Sequence, residues 1–79
     1  MYRILVADDE GIMLEAFKSV ISSTFGDSCI TETAKTGRAV TEKAETFHPD
    51  IVFMDIHMPG INGIQAMREI RKFNTTALF

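Results

Sequence analysis

The sequence predicts an α/β domain in three layers, with helices on both faces of a parallel β-sheet. Two short apolar runs, residues 4–7 (ILVA) and 51–54 (IVFM), are long enough for buried strands and too short for most helices. Helical spacing of apolar residues follows each strand, so strands and helices alternate. The order βαβαβα implies parallel strands joined by right-handed crossovers. With 79 residues, the chain forms one domain at most.

The first βα unit is predicted from residue 3 to Gly26. The strand covers residues 3–8, and its apolar residues on both faces indicate a central position in the sheet. A helix should begin between Asp9 and Gly11, and Gly26 lies where a C-terminal glycine cap belongs. Apolar residues at offsets of three, four, seven and eight then form the stripe of an amphipathic helix. They are Met13, Ala16, Phe17, Val20 and Ile21.

The second βα unit begins with a strand over residues 29–34. Polar and apolar residues interleave there, which suits a half-exposed edge strand. Thr36 and Gly37 turn into a weaker helix, which Pro49 prevents from continuing. The inward residues of this helix are expected to be Ala39 or Val40, Ala44 and Phe47.

The third unit has the clearest strand, over residues 50–55. Pro59 and Gly60 then mark a loop, and Asn62 can cap a third helix. Its core-facing residues should include Met67 and Ile70. The final stretch 75–79 (TTALF) starts like another strand, so we expect the sequence to be the first part of a larger domain.

Composition excludes several classes of function. The net charge of −3 and the pI near 5.2 argue against a nucleic-acid-binding face. Cys29 is the only cysteine, which leaves no internal disulfide and no thiolate metal site. The sequence contains no apolar stretch of membrane-spanning length and no signal-peptide pattern at its start, so we expect a cytoplasmic protein without membrane contact.

Three aspartates are the candidate functional residues: Asp8, Asp9 and Asp55 each follow an apolar strand. In a parallel sheet they emerge together at the carboxyl edge, where open α/β sheets bind ligands. Two unit charges ~5 Å apart repel by about 3 kcal/mol at an effective dielectric of ~20. Such a cluster needs a cation, protonation or a well-hydrated site to be tolerated, and a divalent metal is the interpretation that we favour. The simpler alternative, that these acids only cap strand ends and helix starts, remains open.

Two motifs resemble the receiver domain of two-component response regulators. One is residues 4–10 (ILVADDE), with an acidic pair ending the first strand. The other is residues 50–63 (DIVFMDIHMPGING), with Asp55 four residues before Pro59-Gly60 and seven before Asn62-Gly63. The resemblance covers residues 1–79 but only three of the five βα units that the family has. It implies a flavodoxin-like sheet with the order 2-1-3 present and strands 4 and 5 largely missing, that is, a truncated receiver domain.

The resemblance also implies a site. Asp55 would accept a phosphoryl group from a sensor histidine kinase. Asp8, Asp9 and Asp55 would hold Mg²⁺, together with the backbone carbonyl of His57. The His57 side chain itself reads as an exposed loop residue, and Glu10 as a surface residue.

The family also supplies a hydroxyl residue after its fourth strand and a lysine after its fifth, and neither region is present in residues 1–79. Lys43 and Lys72 lie on helices and are poor substitutes for that lysine. The alternative is therefore a receiver fragment without phosphotransfer activity. It would self-associate through the exposed third-strand edge and residues Ala77, Leu78 and Phe79.

A different class, an aspartate-nucleophile phosphohydrolase, is disfavoured. Such enzymes place a second acid two residues after the nucleophile, and His57 stands there. We therefore expect a signalling domain that catalyses at most its own phosphorylation.

Overall fold

The computed structural model describes residues 1–55, 60, 62–74 and 79. Within this part of the chain there are three strands, β1 (Tyr2–Ala7), β2 (Cys29–Ala34) and β3 (Ile51–Met54). They form one parallel sheet in the order β2-β1-β3, as predicted. Ala7 of β1 lies opposite both Ala34 of β2 and Met54 of β3, so the three strands end level with one another.

Among the described residues, three α-helices connect and cover the strands. They are α1 (Gly11–Phe25), α2 (Gly37–Phe47) and α3 (Gly63–Arg71), and a 3₁₀ turn (Gly26–Ser28) follows α1. Gly26 ends α1 with a positive φ of 57°, as a glycine cap does. Thr36 is more than a turn residue, because its hydroxyl accepts a hydrogen bond from the Ala39 N–H and caps α2.

Asn62 begins α3 with a reciprocal cap. The Gln65 N–H donates to Asn62 Oδ1 at 2.9 Å, and the Asn62 N–H donates to Gln65 Oε1 at 3.1 Å. This capping box satisfies two backbone donors that the first turn of a helix otherwise leaves unpaired. The predicted cap is confirmed, and its partner Gln65 was not foreseen.

Two apolar cores lie on opposite faces of the sheet, which makes the fold three-layered. The larger core is formed by the sheet with α2 and α3, and consists of Leu5, Ala7, Ala34, Val40, Ala44, Val52, Ala66 and Ile70. The smaller core is formed with α1, and consists of Ile4, Val6, Leu14 and Ile21. β1 contributes to both cores, which confirms its central position, and β2 is half-exposed at one edge.

The apolar stripe of α1 is mostly exposed, contrary to what the periodicity suggests. Ile21 is buried, but Val20 is 62% exposed and Met13 43%. The residue that joins Ile21 in the core is Leu14. The apolar face of α1 is wider than the part that packs on the sheet: Leu14 and Ile21 are buried against β1, and Phe17 reaches the Phe53 ring at the margin. Met13, Ala16, Phe17 and Val20 instead line a shallow apolar depression of about 220 Å³.

The other predicted core positions are in place. Val40 and Ala44 are buried in α2, and Ala39 and Phe47 pack at the margin of the same core. In α3 Ile70 is buried and Met67 is half-buried. The predicted further strand at 75–79 falls mainly on residues 75–78, which lie outside the described residues.

Candidate functional site

The carboxyl edge of the sheet brings the three predicted aspartates together. The ladder of hydrogen bonds extends one residue past each strand end. The Asp55 N–H donates to the Ala7 carbonyl at 3.0 Å, and the Asp8 N–H donates to the Ala34 carbonyl at 3.1 Å. These bonds fix the backbones of Asp8 and Asp55 on neighbouring strands, so both side chains leave the sheet at the same edge.

One carboxylate oxygen from each of Asp8, Asp9 and Asp55 lies within 4.8 Å of the other two. Asp8 and Asp55 are half-buried, and Asp9 is exposed. Charges at this separation repel by about 1 kcal/mol in water and by about 3 kcal/mol at an effective dielectric of ~20. The arrangement is unfavourable by itself, and a bound cation would reverse the sign of the interaction.

Asp8 has a second, local role. Its Oδ1 accepts a hydrogen bond from the Glu10 N–H at 3.0 Å. Glu10 is the N-cap residue of α1 and is exposed, as expected for a surface residue. This turn was not foreseen, although an aspartate two residues before a helix start is the usual signal for it. It holds the Asp8 side chain in a fixed orientation while leaving its second oxygen for a ligand.

A cleft of about 300 Å³ opens beside the acidic cluster. The aspartates Asp8 and Asp55 form its polar part. Its apolar wall includes Phe17 of α1 and Phe53 of β3, whose rings stack with centroids 5.8 Å apart and planes 28° from parallel. The remaining lining residues are Val6, Ala7 and Met54. Met54 packs against the larger core, which agrees with a packing role rather than a metal-binding one.

The predicted carbonyl ligand of His57 lies outside the described residues, as does Met58. Gly60 is described and has a φ of 77°, a conformation that glycine adopts without strain. Within residues 1–55, 60, 62–74 and 79, the group of Asp8, Asp9 and Asp55 is the one set of three or more acidic, histidine or cysteine side chains close enough to share an ion.

A parallel sheet in this order, with polar side chains at its carboxyl edge, is typical of the open α/β domains that bind ligands at that edge. The family model of the response regulator receiver domain matches residues 4–78. The chain belongs to this family, whose members are signalling modules with a flavodoxin-like fold.

Curated relatives agree with this assignment. The chemotaxis protein CheY of Thermotoga maritima is 39% identical over 75 residues, which cover 95% of this chain and 61% of CheY. A protein-glutamate methylesterase/protein-glutamine glutaminase of Treponema denticola is 35% identical over 72 residues, 91% of this chain and 19% of that protein. The chain thus spans about a fifth of the methylesterase.

Among solved structures, the response regulator TrrA of Thermotoga maritima, in complex with Mg²⁺ and BeF, superposes with a TM-score of 0.86 at 36% identity. The match covers 98% of this chain and 64% of TrrA. TrrA in complex with the histidine kinase ThkA superposes with a TM-score of 0.83 over the same shares of the two chains. No helix in the part of the chain that the structure describes is long and apolar enough to cross a bilayer.

Proposed function

We propose that this chain is the phosphoryl-accepting part of a two-component response regulator, phosphorylated on Asp55 by a sensor histidine kinase in a Mg²⁺-dependent reaction. The observation that carries the proposal is the convergence of the Asp8, Asp9 and Asp55 carboxylates within 4.8 Å at the carboxyl edge of the sheet. Membership of the receiver family supports assigning this cluster to phosphoryl transfer.

The donor set fits Mg²⁺. All three side chains offer hard carboxylate oxygens, the ligands that this ion prefers. Asp8, Asp9 and Asp55 would hold it, with the His57 carbonyl as a further ligand. When bound, Mg²⁺ neutralises charge on phosphoryl oxygens and orients the group for in-line attack. The Mg²⁺ in the TrrA complex supports this choice of metal.

The protein's own contribution is positioning. Asp55 would act as the nucleophile, since a carboxylate is competent to form an aspartyl phosphate. Its backbone is fixed by the bond from its N–H to the Ala7 carbonyl, which limits how far the carboxylate can move. Asp8 is oriented by the Glu10 N–H, so two of the three acids are held before any ligand arrives.

We also propose the extent of the domain, the partner protein and the cellular location of this chain. Residues 1–79 would form the first three βα units, and the start of a fourth strand, of a single receiver domain. A histidine kinase as phosphodonor is supported by the TrrA–ThkA complex, which contains such a kinase bound to a similar domain. We place the protein in the cytoplasm, in agreement with its lone, free Cys29.

Intact-mass measurement after incubation with Mg²⁺ and acetyl phosphate tests the proposal. We expect an adduct of one phosphoryl group that disappears in Asp55→Asn and when Mg²⁺ is chelated. Asp50→Asn is the matched control, because Asp50 lies at the opposite end of the same strand. No adduct on the 79-residue chain at any donor concentration, with the variants folded, would contradict phosphotransfer by this chain.

A second candidate is self-association of a fragment that lacks phosphotransfer activity. β3 pairs with β1 on one side, and among the described residues no strand pairs with its other side. An apolar groove of about 320 Å³ flanks this edge and is lined by Val52, Met54, Gly63, Ile64, Met67 and Phe79. Phe79 also packs under the Arg71 guanidinium, 4.7 Å from its ring centre. An apolar unpaired edge of this kind favours pairing with a second chain.

Sedimentation at high micromolar concentration tests self-association. The two sheet edges supply matched variants, because Phe53 on β3 and Ile30 on β2 are 42% and 43% exposed. Phe53→Lys should dissociate an assembly that uses the β3 edge, while Ile30→Lys should leave it intact. A monomeric wild-type chain at these concentrations would rule the second candidate out.

A further inference from the structure

Lys35 is a basic side chain at the acidic edge of the sheet. It directly follows Ala34, the last residue of β2, whose carbonyl accepts the Asp8 N–H at 3.1 Å. Its Nζ and Cε lie 3.6 and 3.9 Å from the point where a Cβ on Gly11 would stand. Gly11 is the first residue of α1, two positions after Asp9. The ammonium group therefore lies over the first residue of α1, two positions along the chain from Asp9.

This is an unfavourable place for a cation by local criteria. The first turn of an α-helix carries the positive end of its dipole, which repels an ammonium group. Among the other described lysines, Lys43 pairs with Glu32 at 3.7 Å and Lys72 with Glu69 at 3.0 Å, while Lys18 in α1 forms no such pair with a described residue. Lys35 makes no ion pair within 4.0 Å to any residue that the structure describes. Lys35 is exposed to solvent, and the three clustered aspartates are a concentration of negative charge at the same edge of the sheet.

We propose that Lys35 is an electrostatic part of the acidic site, which weakens binding of the divalent cation and strengthens capture of the anionic phosphoryl donor. The inference rests on the function proposed above and assigns to that site a residue for donor recognition. One positive charge acts in opposite directions on a cation and an anion that enter the same place. Both effects fall off with distance and with salt.

The expected effects on Mg²⁺ binding and on donor capture have opposite signs. Measuring both therefore distinguishes an electrostatic role of Lys35 from a merely structural one. In Lys35→Gln we expect the Mg²⁺ dissociation constant to fall roughly two- to sixfold, because one positive charge that repels a doubly charged ion through a water-like, salt-screened medium is removed. At saturating Mg²⁺, the second-order rate constant for phosphorylation by acetyl phosphate should fall by a similar factor. Lys35→Glu should enlarge both changes, Lys35→Arg should restore wild-type values, and raised ionic strength should shrink all of them.

Lys18→Gln is the matched control, since it removes the same charge from an exposed position in α1. Calorimetric titration with Mg²⁺ and intact mass against time are the two readouts on the 79-residue chain. If Lys35→Gln matches Lys18→Gln in both, the inference is overturned and the function of the site stands. If only metal affinity changes, Lys35 does not assist donor capture and the inference is again overturned. If the wild-type chain forms no adduct, the proposed function itself fails, and donor capture by Lys35 fails with it.

Discussion

The two ends of β3 use the same residue type in opposite ways. At the amino edge, Asp50 and Arg3 form a closed pair: the Asp50 N–H donates to the Arg3 carbonyl and the Arg3 N–H donates to Asp50 Oδ2, both at 2.8 Å. At the carboxyl edge, the Asp55 carboxylate lies within 4.8 Å of those of Asp8 and Asp9.

The groups that surround each carboxylate determine its role. Asp50 accepts a backbone donor, and a charge-assisted bond of this kind stabilises a fold by about 1.5–3 kcal/mol. The Arg3 Nη1 group also donates to the Phe47 carbonyl at 3.4 Å. Hydrogen bonds at this edge therefore connect β1 both to the residue before β3 and to the end of α2. At the other edge the acids face one another, and the cation proposed above would relieve their repulsion. Local hydrogen bonds stabilise one edge, and mutual repulsion destabilises the other.

The largest expected effect is a difference between the two edges in how Mg²⁺ changes the free energy of unfolding of their variants. At Mg²⁺ concentrations near 100 times the dissociation constant, binding to the folded state alone should raise the free energy of unfolding by about 2.7 kcal/mol. Asp9→Asn should abolish most of this gain, and Asp50→Asn should retain it. Urea denaturation with and without Mg²⁺ measures both. An equal gain in wild type and Asp9→Asn would refute a metal site at the carboxyl edge.

An intermediate effect is expected at the amino edge. Asp50→Ala removes the acceptor of the Arg3 N–H and should lower the free energy of unfolding by about 1–2 kcal/mol, the low end of the range for such bonds because this one is exposed to solvent. The loss should be the same with and without Mg²⁺, because the substituted group lies at the far end of the strand. Chemical denaturation of Asp50→Ala against Asp50→Asn, which keeps an oxygen acceptor, is the measurement. A loss that varies with Mg²⁺ would show that the two edges are coupled.

The smallest effect concerns the residue that leads into the amino edge. His48 ends α2 with φ 53° and ψ 63°, a left-handed conformation that is unfavourable for a residue with a Cβ. His48→Gly should therefore raise the free energy of unfolding by about 0.5–1 kcal/mol, and His48→Ala should not. Thermal unfolding of the two variants decides this. A glycine variant less stable than wild type would mean that the His48 side chain itself stabilises the edge.

Much of the fold could be predicted because the strands have a strong local signal. The runs at 4–7 and 51–54 are apolar on both faces and end in acids, so strand positions and the convergence of Asp8, Asp9 and Asp55 follow from parallel topology alone. Asn62 and Gly26 were foreseen from capping chemistry. In each case the deciding interaction is local in sequence or is fixed by the strand order.

What could not be predicted depends on groups distant in sequence. Periodicity identifies the apolar face of α1 but not how much of it a three-stranded sheet covers, so the exposure of Met13 and Val20 was missed. The pairing of Asp50 with Arg3 joins residues 47 positions apart and has no local signature. Lys35 was overlooked because its position over α1 depends on how β2 ends beside β1.

The reciprocal cap at Asn62 and Gln65 has a consequence for exchanging the segment between Asp55 and Asn62. The Asn62 and Gln65 side chains satisfy two backbone donors at the start of α3 from within the helix itself. At the other end of the segment, the Asp55 N–H is bonded to the Ala7 carbonyl. None of these three bonds uses a side chain between Asp55 and Asn62, so substitutions there should leave the Asp55 backbone and the first turn of α3 in place.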